Sequence, residues 1–229
     1  MNEWLFVGMF FLDYGLLLLL YQRYGRLGLY AWIPFATIIA NLQVIKVVEL
    51  FGMTATLGNI AYASIFLATD IISENYGRRD AYAAVGIGMF SMIGMTLIML
   101  LAIAVVPAAD DFAQPALKSI FSFVPRVVLG SLVAYVISQH HDVWSFHFWK
   151  NRLPQTKFLW VRNNFSTLAS QAIDTLIFTS IAFLGVFPTN TFWSIVITTF
   201  LLKALITLLD TPFIYLAKWL FVTKRIREF

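Results

Sequence analysis

The chain has 229 residues, of which 60% are hydrophobic and 12% are charged, and its formal net charge is +4 at pH 7. Soluble domains average about 45–50% apolar and about 25% charged residues, so this composition excludes an ordinary soluble protein. Apolar runs long enough to cross a hydrocarbon layer of roughly 30 Å recur along the whole chain. The sequence therefore predicts an all-α, polytopic membrane protein.

The charge distribution, the cysteine count and the N-terminal segment exclude several further features for this membrane protein. The positive charge comes from short loop clusters rather than from a broad basic surface, so no nucleic-acid partner is expected. The chain has no cysteine, which excludes disulfides and thiolate sites. The start, "MNEWLFVGMFFLDYG", lacks the basic region and cleavage site of a signal peptide. We expect it to be retained as a first membrane span.

Apolar runs and their polar breaks predict the helices in chain order. They cover residues 4–22, 28–50, 56–75, 81–106, 119–140, 161–187 and 191–221. Pro107 and Pro115 punctuate the loop after the fourth run, where a short surface helix is expected. Gly86, Gly88 and Gly94 in the fourth run predict close helix contacts. No linker or repeat interrupts the chain, so residues 1–229 are expected to form one transmembrane domain.

The basic residues predict the orientation. Lysines and arginines concentrate in the segments after the first, third, fifth and seventh runs, whereas the intervening segments hold one lysine and two aspartates. This alternation is typical of the positive-inside rule. It predicts seven spans with the N-terminus outside and the C-terminus in the cytoplasm. Six spans are the alternative, with the first run interfacial because it contains Asp13.

The sixth predicted span carries most of the intramembrane polar groups. Asn164, Thr167, Gln171, Asp174 and Phe178 follow one another at steps of three or four, so they share one helix face. Asp174 lies about twelve residues into the span, near mid-membrane at 1.5 Å per residue. A charge at that depth costs about 2.5–3.5 kcal/mol, so its presence indicates a structural or functional use.

The seventh span offers a partner for Asp174. Lys203, Thr207 and Asp210 share one face, and Lys203 also falls near mid-membrane. Two interpretations stay open. Asp174 and Lys203 form a structural salt bridge between neighbouring helices, or one or both face a water-filled substrate cavity.

Catalytic and metal-binding patterns are absent from the sequence. It has no P-loop, no GxSxG and no HExxH, so no enzyme activity and no cofactor are expected. The segment "HHDVWSFHFWKNR" (140–152) contains His140, His141 and His147, but adjacent histidines point to different helix faces and a fourth zinc ligand is missing. Its aromatic and basic residues are typical of the inner membrane interface. Polar groups on at least four spans predict a solute path.

Four motifs together resemble one family. They are, in order, "FLATDIISENYG", "PRVVLGSLVAYVISQHHDV", "NNFSTLASQAIDTLIFTSIAF" and "LLKALITLLDTPFIYL". In order and spacing they resemble the queuosine-precursor transporters, which were earlier grouped with vitamin uptake transporters of bacteria. The resemblance covers roughly residues 28–221, a six-helix core, and residues 1–27 look like an extra N-terminal span.

The resemblance implies a function. It implies import of 7-cyano-7-deazaguanine or 7-aminomethyl-7-deazaguanine across the bacterial cytoplasmic (inner) membrane, for salvage of the tRNA nucleoside queuosine, by a secondary transporter. The alternative is a substrate-binding S-component of an energy-coupling factor transporter, which requires an ATPase partner. The preferred deazaguanine, the coupling ion and a homodimeric state are left open.

The resemblance also implies substrate-contacting residues, carried over motif by motif. They are Asn41, Lys46, Asp70, Glu74, Arg126, Gln139, Asp142, Asn164, Ser170, Gln171, Asp174, Lys203 and Asp210. We expect Asp174 to accept hydrogen bonds from the base edge, with Gln171 and Asn164 beside it and Lys203 tuning its charge. We expect Asp70 to contact substrate or a proton on the cytoplasmic side. Glu74 has an alternative, a local i,i+4 pair with Arg78.

Overall fold

The computed structural model describes residues 1–44, 46–121, 125–185 and 188–227. The elements in these ranges are α1 (Asn2–Gln43), β1 (Val47–Leu50), β2 (Met53–Thr56), α2 (Asn59–Asn75), α3 (Arg78–Ala104), α4 (Gln114–Phe121), α5 (Pro125–Arg152), α6 (Leu159–Phe183) and α7 (Thr189–Val222), with a single 3-10 turn at Thr156–Phe158. The predicted all-α class is confirmed. The exception is one short β-hairpin.

Helix α1 contains the first two predicted spans. Gly25 interrupts it with φ 56° and ψ −134°, a conformation that favours glycine. The two halves fold back on each other there. Gly28 lies so close to the backbone of Leu20 that a side chain at position 28 would collide with it. At the far end, Asn2 Nδ2 donates a hydrogen bond to the Glu49 carbonyl at 3.2 Å.

The second predicted span ends earlier than expected. The helix stops at Gln43, and residues 47–50, predicted to be helical, form strand β1. Strand β1 pairs antiparallel with β2 from Val47↔Thr56 to Leu50↔Met53. The turn residues Phe51 and Gly52 both have positive φ, which matches the right-handed twist of a two-residue hairpin. The β-branched pair Val47-Val48 and the Phe51-Gly52 turn therefore favour a strand where the apolar run predicted a helix.

The other predicted helices correspond to α2, α3, α5, α6 and α7, and α4 confirms the short helix after Pro107. The largest difference is in α5, which was expected to end at residue 140 and continues to Arg152. The segment 140–152 is thus the last part of a long helix. It positions Asp142 and Lys150 against neighbouring helices.

The helices run alternately between two ends of the bundle. At one end, Arg26 Nη1 lies 3.1 Å from Asp80 Oδ1, and the Arg227 backbone N–H donates to the Gln22 carbonyl at 3.1 Å. The segments rich in lysine and arginine meet here, and we call it the basic end. The other end carries β1 and β2, and we call it the hairpin end.

Among the described residues, three helical segments are long and apolar enough to cross a membrane by length and composition. They are α1, α3 and residues Phe192–Val222 of α7. Helices α2, α5 and α6 carry buried polar side chains, including Asp70, Asp142 and Asp174. The number of spans and the orientation of the termini stay predictions.

Gly88 on α3 allows a close helix contact, as predicted from the sequence, and it provides a test of the packing. A Cβ at this position would collide with the Tyr135 hydroxyl on α5 and lie 2.9 Å from Ile33 Cγ2 on α1. At Gly86 and Gly94 a Cβ would meet no described atom within 4 Å, so close contact there is not found.

We expect Gly88→Ala to lower the apparent melting temperature of the purified protein by several degrees, because overpacking a well-packed contact costs about 1–3 kcal/mol. Gly86→Ala, two residues away on the same helix, is the matched control and should melt like the parent protein. Equal melting of the two variants in a thermal-shift assay would contradict the described packing of α3 against α1 and α5.

Candidate functional site

A cavity of about 160 Å³ lies in the half of the bundle nearer the hairpin end. Helices α1, α2, α3, α5, α6 and α7 all contribute to its wall. Its polar and aromatic lining residues are Asn41, Asn59, Tyr62, Ser131, Asp174, Phe178, Thr179, Phe183, Thr199 and Lys203. Most of the exposed wall is apolar. Such a pocket, with a few convergent polar groups, is typical of a small-molecule binding site.

An ion pair forms one part of the wall. Lys203 Nζ lies 2.5 Å from Asp174 Oδ2, and Asp174 and Lys203 are only 3% and 6% exposed. The Tyr62 hydroxyl donates to Asp174 Oδ1 at 2.5 Å, and the Lys203 ammonium lies 4.7 Å from the centre of the Tyr62 ring. Ser138 Oγ donates to the same carboxylate oxygen at 3.3 Å. The salt bridge predicted as one interpretation therefore exists, and both of its residues line the cavity. That the cavity takes a substrate stays a prediction.

The polar face of α6 extends from the cavity toward the basic end, and only part of it reaches the cavity. Asn164 Nδ2 donates to the Trp160 carbonyl at 2.9 Å and to Thr211 Oγ1 at 2.8 Å, so it connects α6 to α7. Gln171 is fully buried, and neither atom of its amide hydrogen-bonds to a described residue. Neither residue is among the described residues that line the cavity, although both were expected beside Asp174.

A second polar layer contains three buried carboxyl groups. Asp70 on α2, Asp142 on α5 and Asp210 on α7 are 0%, 0% and 1% exposed. Thr167 donates to Asp70 at 3.1 Å, and Asn163 donates to Asp210 at 2.8 Å. The three carboxyl groups are near enough to influence one another electrostatically. No lysine or arginine in the described ranges forms an ion pair with them.

Glu74 anchors a cation cluster at the basic end. Its carboxylate lies 3.4 Å from Lys150 Nζ, 3.0 Å from Arg162 Nη2 and 2.9 Å from Lys218 Nζ. The cluster joins α2, α5, α6 and α7, and Arg162 is fully buried within it. The local pair with Arg78 is wrong, because α2 ends at Asn75 and Arg78 begins α3. Arg78 instead donates to the Tyr82 hydroxyl at 3.1 Å.

The other predicted site residues are spread over the bundle. Asn41 lines the cavity and donates to the Thr37 carbonyl at 2.8 Å. Gln139 accepts from Thr69 at 3.3 Å, and Ser170 contacts His141 Nδ1 at 2.9 Å, both outside the cavity wall. Lys46 is exposed beside β1. The side chain of Arg126 falls outside the described residues.

Sequence reasoning missed Tyr62. It follows Asn59, a polar residue of the same run, by three positions and precedes Asp70 by eight, so all three share a face of α2. From this shared face, the Tyr62 hydroxyl could have been predicted to belong to the polar interior. The searched part of the structure contains no group of three or more potential metal ligands.

Comparisons with known proteins support a single class. A family model described as "Putative vitamin uptake transporter" matches residues 56–217. A Bacillus subtilis protein named "Probable queuosine precursor transporter" is 44% identical over 94% of this chain and 93% of its own length. A Haemophilus influenzae protein of the same name is 34% identical over 66% of this chain and 61% of its own length. The Escherichia coli "Queuosine precursor transporter" is 30% identical, covering 71% of each chain.

The apolar helices, the cavity between them and these relatives define a multi-pass membrane transporter. The chain belongs to the queuosine precursor transporter family, as the four sequence motifs indicated. The relatives' names describe transport rather than a chemical reaction, and they do not favour the alternative of an ATPase-dependent S-component. No solved structure matches the chain.

The ion pair between Asp174 and Lys203 makes a prediction about stability. Asp174→Asn leaves a buried ammonium without its counter-charge, and Lys203→Met leaves a buried carboxylate with only neutral donors. Breaking a buried pair from one side costs about 3–5 kcal/mol, whereas replacing both partners can cost little. We therefore expect the loss of melting temperature in the double variant to be much smaller than the sum of the losses in the two single variants.

The measurement is a double-mutant cycle on the purified protein, followed by thermal unfolding. Lys46→Met, which removes an exposed lysine, is the control and should leave the melting temperature near that of the parent protein. Additive losses in the cycle would show that the two groups do not depend on each other.

Proposed function

We propose that this protein imports a queuosine precursor, 7-cyano-7-deazaguanine or 7-aminomethyl-7-deazaguanine, across the bacterial cytoplasmic membrane for tRNA modification. The observation that carries the proposal is the cavity with the Asp174–Lys203 pair in its wall. The names of the three relatives supply the substrate class.

The cavity offers the contacts that a deazaguanine needs. Its N1–H and exocyclic amine are neighbouring donors, and the Asp174 carboxylate in the cavity wall can accept a hydrogen bond from this edge. The exocyclic oxygen accepts hydrogen bonds, which the Lys203 ammonium can donate. Phe178 and Phe183 line the same cavity and can stack on the flat face of the base.

The proposed topology has seven spans, with the hairpin end outside and the basic end in the cytoplasm, in keeping with the positive-inside rule. In this orientation the cavity lies in the outer half. The three-carboxyl layer and the Glu74 cluster lie between it and the cytoplasm. Release of substrate inward then requires α2, α5, α6 and α7 to separate at the Glu74 cluster.

Secondary transport is the proposed mechanism, with energy drawn from an ion gradient. Proton coupling needs groups inside the membrane that can gain and lose protons during the cycle. Asp70, Asp142 and Asp210 support this proposal, because they are buried carboxyl groups that form no ion pair with a described lysine or arginine.

The proposed function predicts precursor-dependent rescue. A strain that cannot make queuosine precursors and lacks its own importer should regain queuosine in its tRNA when it carries this gene and receives limiting precursor. Asp174→Asn should reduce the rescue at least about tenfold, because a hydrogen bond to a charged group contributes about 1.5–3 kcal/mol. Mass spectrometry of tRNA nucleosides measures the outcome.

The control is Asp110→Asn, which removes the charge of an exposed loop carboxylate and should leave rescue intact. Membrane abundance of each variant is compared by immunoblot, because Asp174 also stabilises the fold. Full rescue by Asp174→Asn at equal abundance would contradict its assignment to the base edge. Absence of rescue by the parent gene would overturn the proposed substrate class.

Secondary transport predicts that uptake proceeds without an ATPase partner. We expect radiolabelled precursor to accumulate in cells that lack every energy-coupling ATPase module, and an uncoupler should abolish accumulation within minutes. Uptake that requires such a module, or that persists with the uncoupler while ATP is present, would favour the S-component alternative.

A further inference from the structure

The charge of the cavity bears on which precursor it accepts. Asp174 and Lys203 are the charged side chains among its described lining residues, and their groups lie 2.5 Å apart. One negative and one positive charge cancel. The Asp174 carboxylate already accepts from Lys203, Tyr62 and Ser138, so it is compensated before any ligand enters.

Other carboxylates of the described residues lie away from the cavity wall. Glu74 is engaged by three cations, Asp80 by Arg26, and Glu3 by the N-terminal amine. The remaining acidic residues there, none of which lines the cavity, are Asp13, Glu49, Asp70, Asp110, Asp111, Asp142 and Asp210.

Among the described lining residues, Asp174 is therefore the single carboxylate, and no second one lies in the described wall to compensate a bound cation.

The two precursors differ in charge at the group attached to carbon 7. The nitrile of 7-cyano-7-deazaguanine is neutral, whereas the primary amine of the aminomethyl compound carries a positive charge at pH 7. A cation buried in a largely apolar cavity without a counter-charge is strongly disfavoured. If the ammonium displaced Lys203 from Asp174, Lys203 would become the uncompensated cation, so the penalty would remain.

We propose that the cavity selects for neutral 7-substituted deazaguanines and therefore accepts the 7-cyano precursor in preference to the cationic 7-aminomethyl precursor. This inference rests on the proposed function and specifies its substrate. Thr199 is the position from which the preference can be changed. It lines the cavity one turn before Lys203 on α7.

The test measures dissociation constants for three ligands with the full-length purified protein by isothermal titration calorimetry at pH 7. The ligands are 7-cyano-, 7-hydroxymethyl- and 7-aminomethyl-7-deazaguanine. The hydroxymethyl compound has nearly the size of the aminomethyl compound without its charge, so this pair isolates the effect of charge. We expect the aminomethyl compound to bind at least about tenfold more weakly than the hydroxymethyl compound.

A pair of variants tests the cause. Thr199→Asp adds a carboxylate to the cavity wall, and Thr199→Asn has nearly the same shape without the charge. We expect the ratio of aminomethyl to hydroxymethyl affinity to rise at least about tenfold in Thr199→Asp relative to Thr199→Asn. If Thr199→Asp does not fold, the dissociation constants of the parent protein for the aminomethyl and hydroxymethyl compounds decide whether the proposal holds.

Equal or tighter binding of the aminomethyl compound by the parent protein would overturn the selectivity while leaving the proposed function intact. Binding of none of the three ligands by folded protein would overturn the proposed function and the selectivity with it. Tighter binding of the two neutral ligands by the parent protein, together with a reversed preference in Thr199→Asp, would support the proposed function and the selectivity.

Discussion

The buried ion pair between Asp174 and Lys203 is the interaction on which the rest of the site depends. It connects α6 to α7, and its carboxylate is also held by Tyr62 from α2 and Ser138 from α5. Four helices thus meet at one carboxylate. Inside a membrane protein such a group must be compensated locally, because water is not available to solvate it. Compensation also makes the described part of the cavity wall neutral overall, which is the property on which the proposed selectivity rests.

The polar groups of the interior form three successive layers between the hairpin end and the basic end. The cavity with its compensated pair comes first, then the carboxyl groups of Asp70, Asp142 and Asp210, then the Glu74 cluster. The first layer contains an ion pair, the second contains carboxyl groups without an ion-pair partner among the described residues, and the third contains three cations around one carboxylate. The last layer joins the same helices, α2, α5, α6 and α7, that contribute side chains to the other two. A movement that separates these helices at the basic end would therefore also shift side chains in the cavity wall.

Much of the helical framework was predictable from the sequence, because hydropathy and helical periodicity are local properties. The positions of α2, α3, α6 and α7 and the shared face of Asn164, Gln171 and Asp174 follow from that periodicity. The error at residues 47–50 has a local cause too. Hydropathy cannot distinguish a short apolar strand from the end of a helix, and the Phe51-Gly52 turn decides in favour of the hairpin.

The sequence by itself determined the membrane class, the helices and the intramembrane polar residues, because a charge or an amide in an apolar run is conspicuous wherever the chain folds. Only the tertiary structure decided which of these groups meet. For Glu74 the sequence left open a substrate contact or a pair with Arg78 four positions away, and in the structure it binds Lys150, Arg162 and Lys218. Tyr62 reaches Asp174 across 112 positions of sequence. Such partners depend on how separate helices pack side by side, and the spacing of residues along one helix carries no information about that packing.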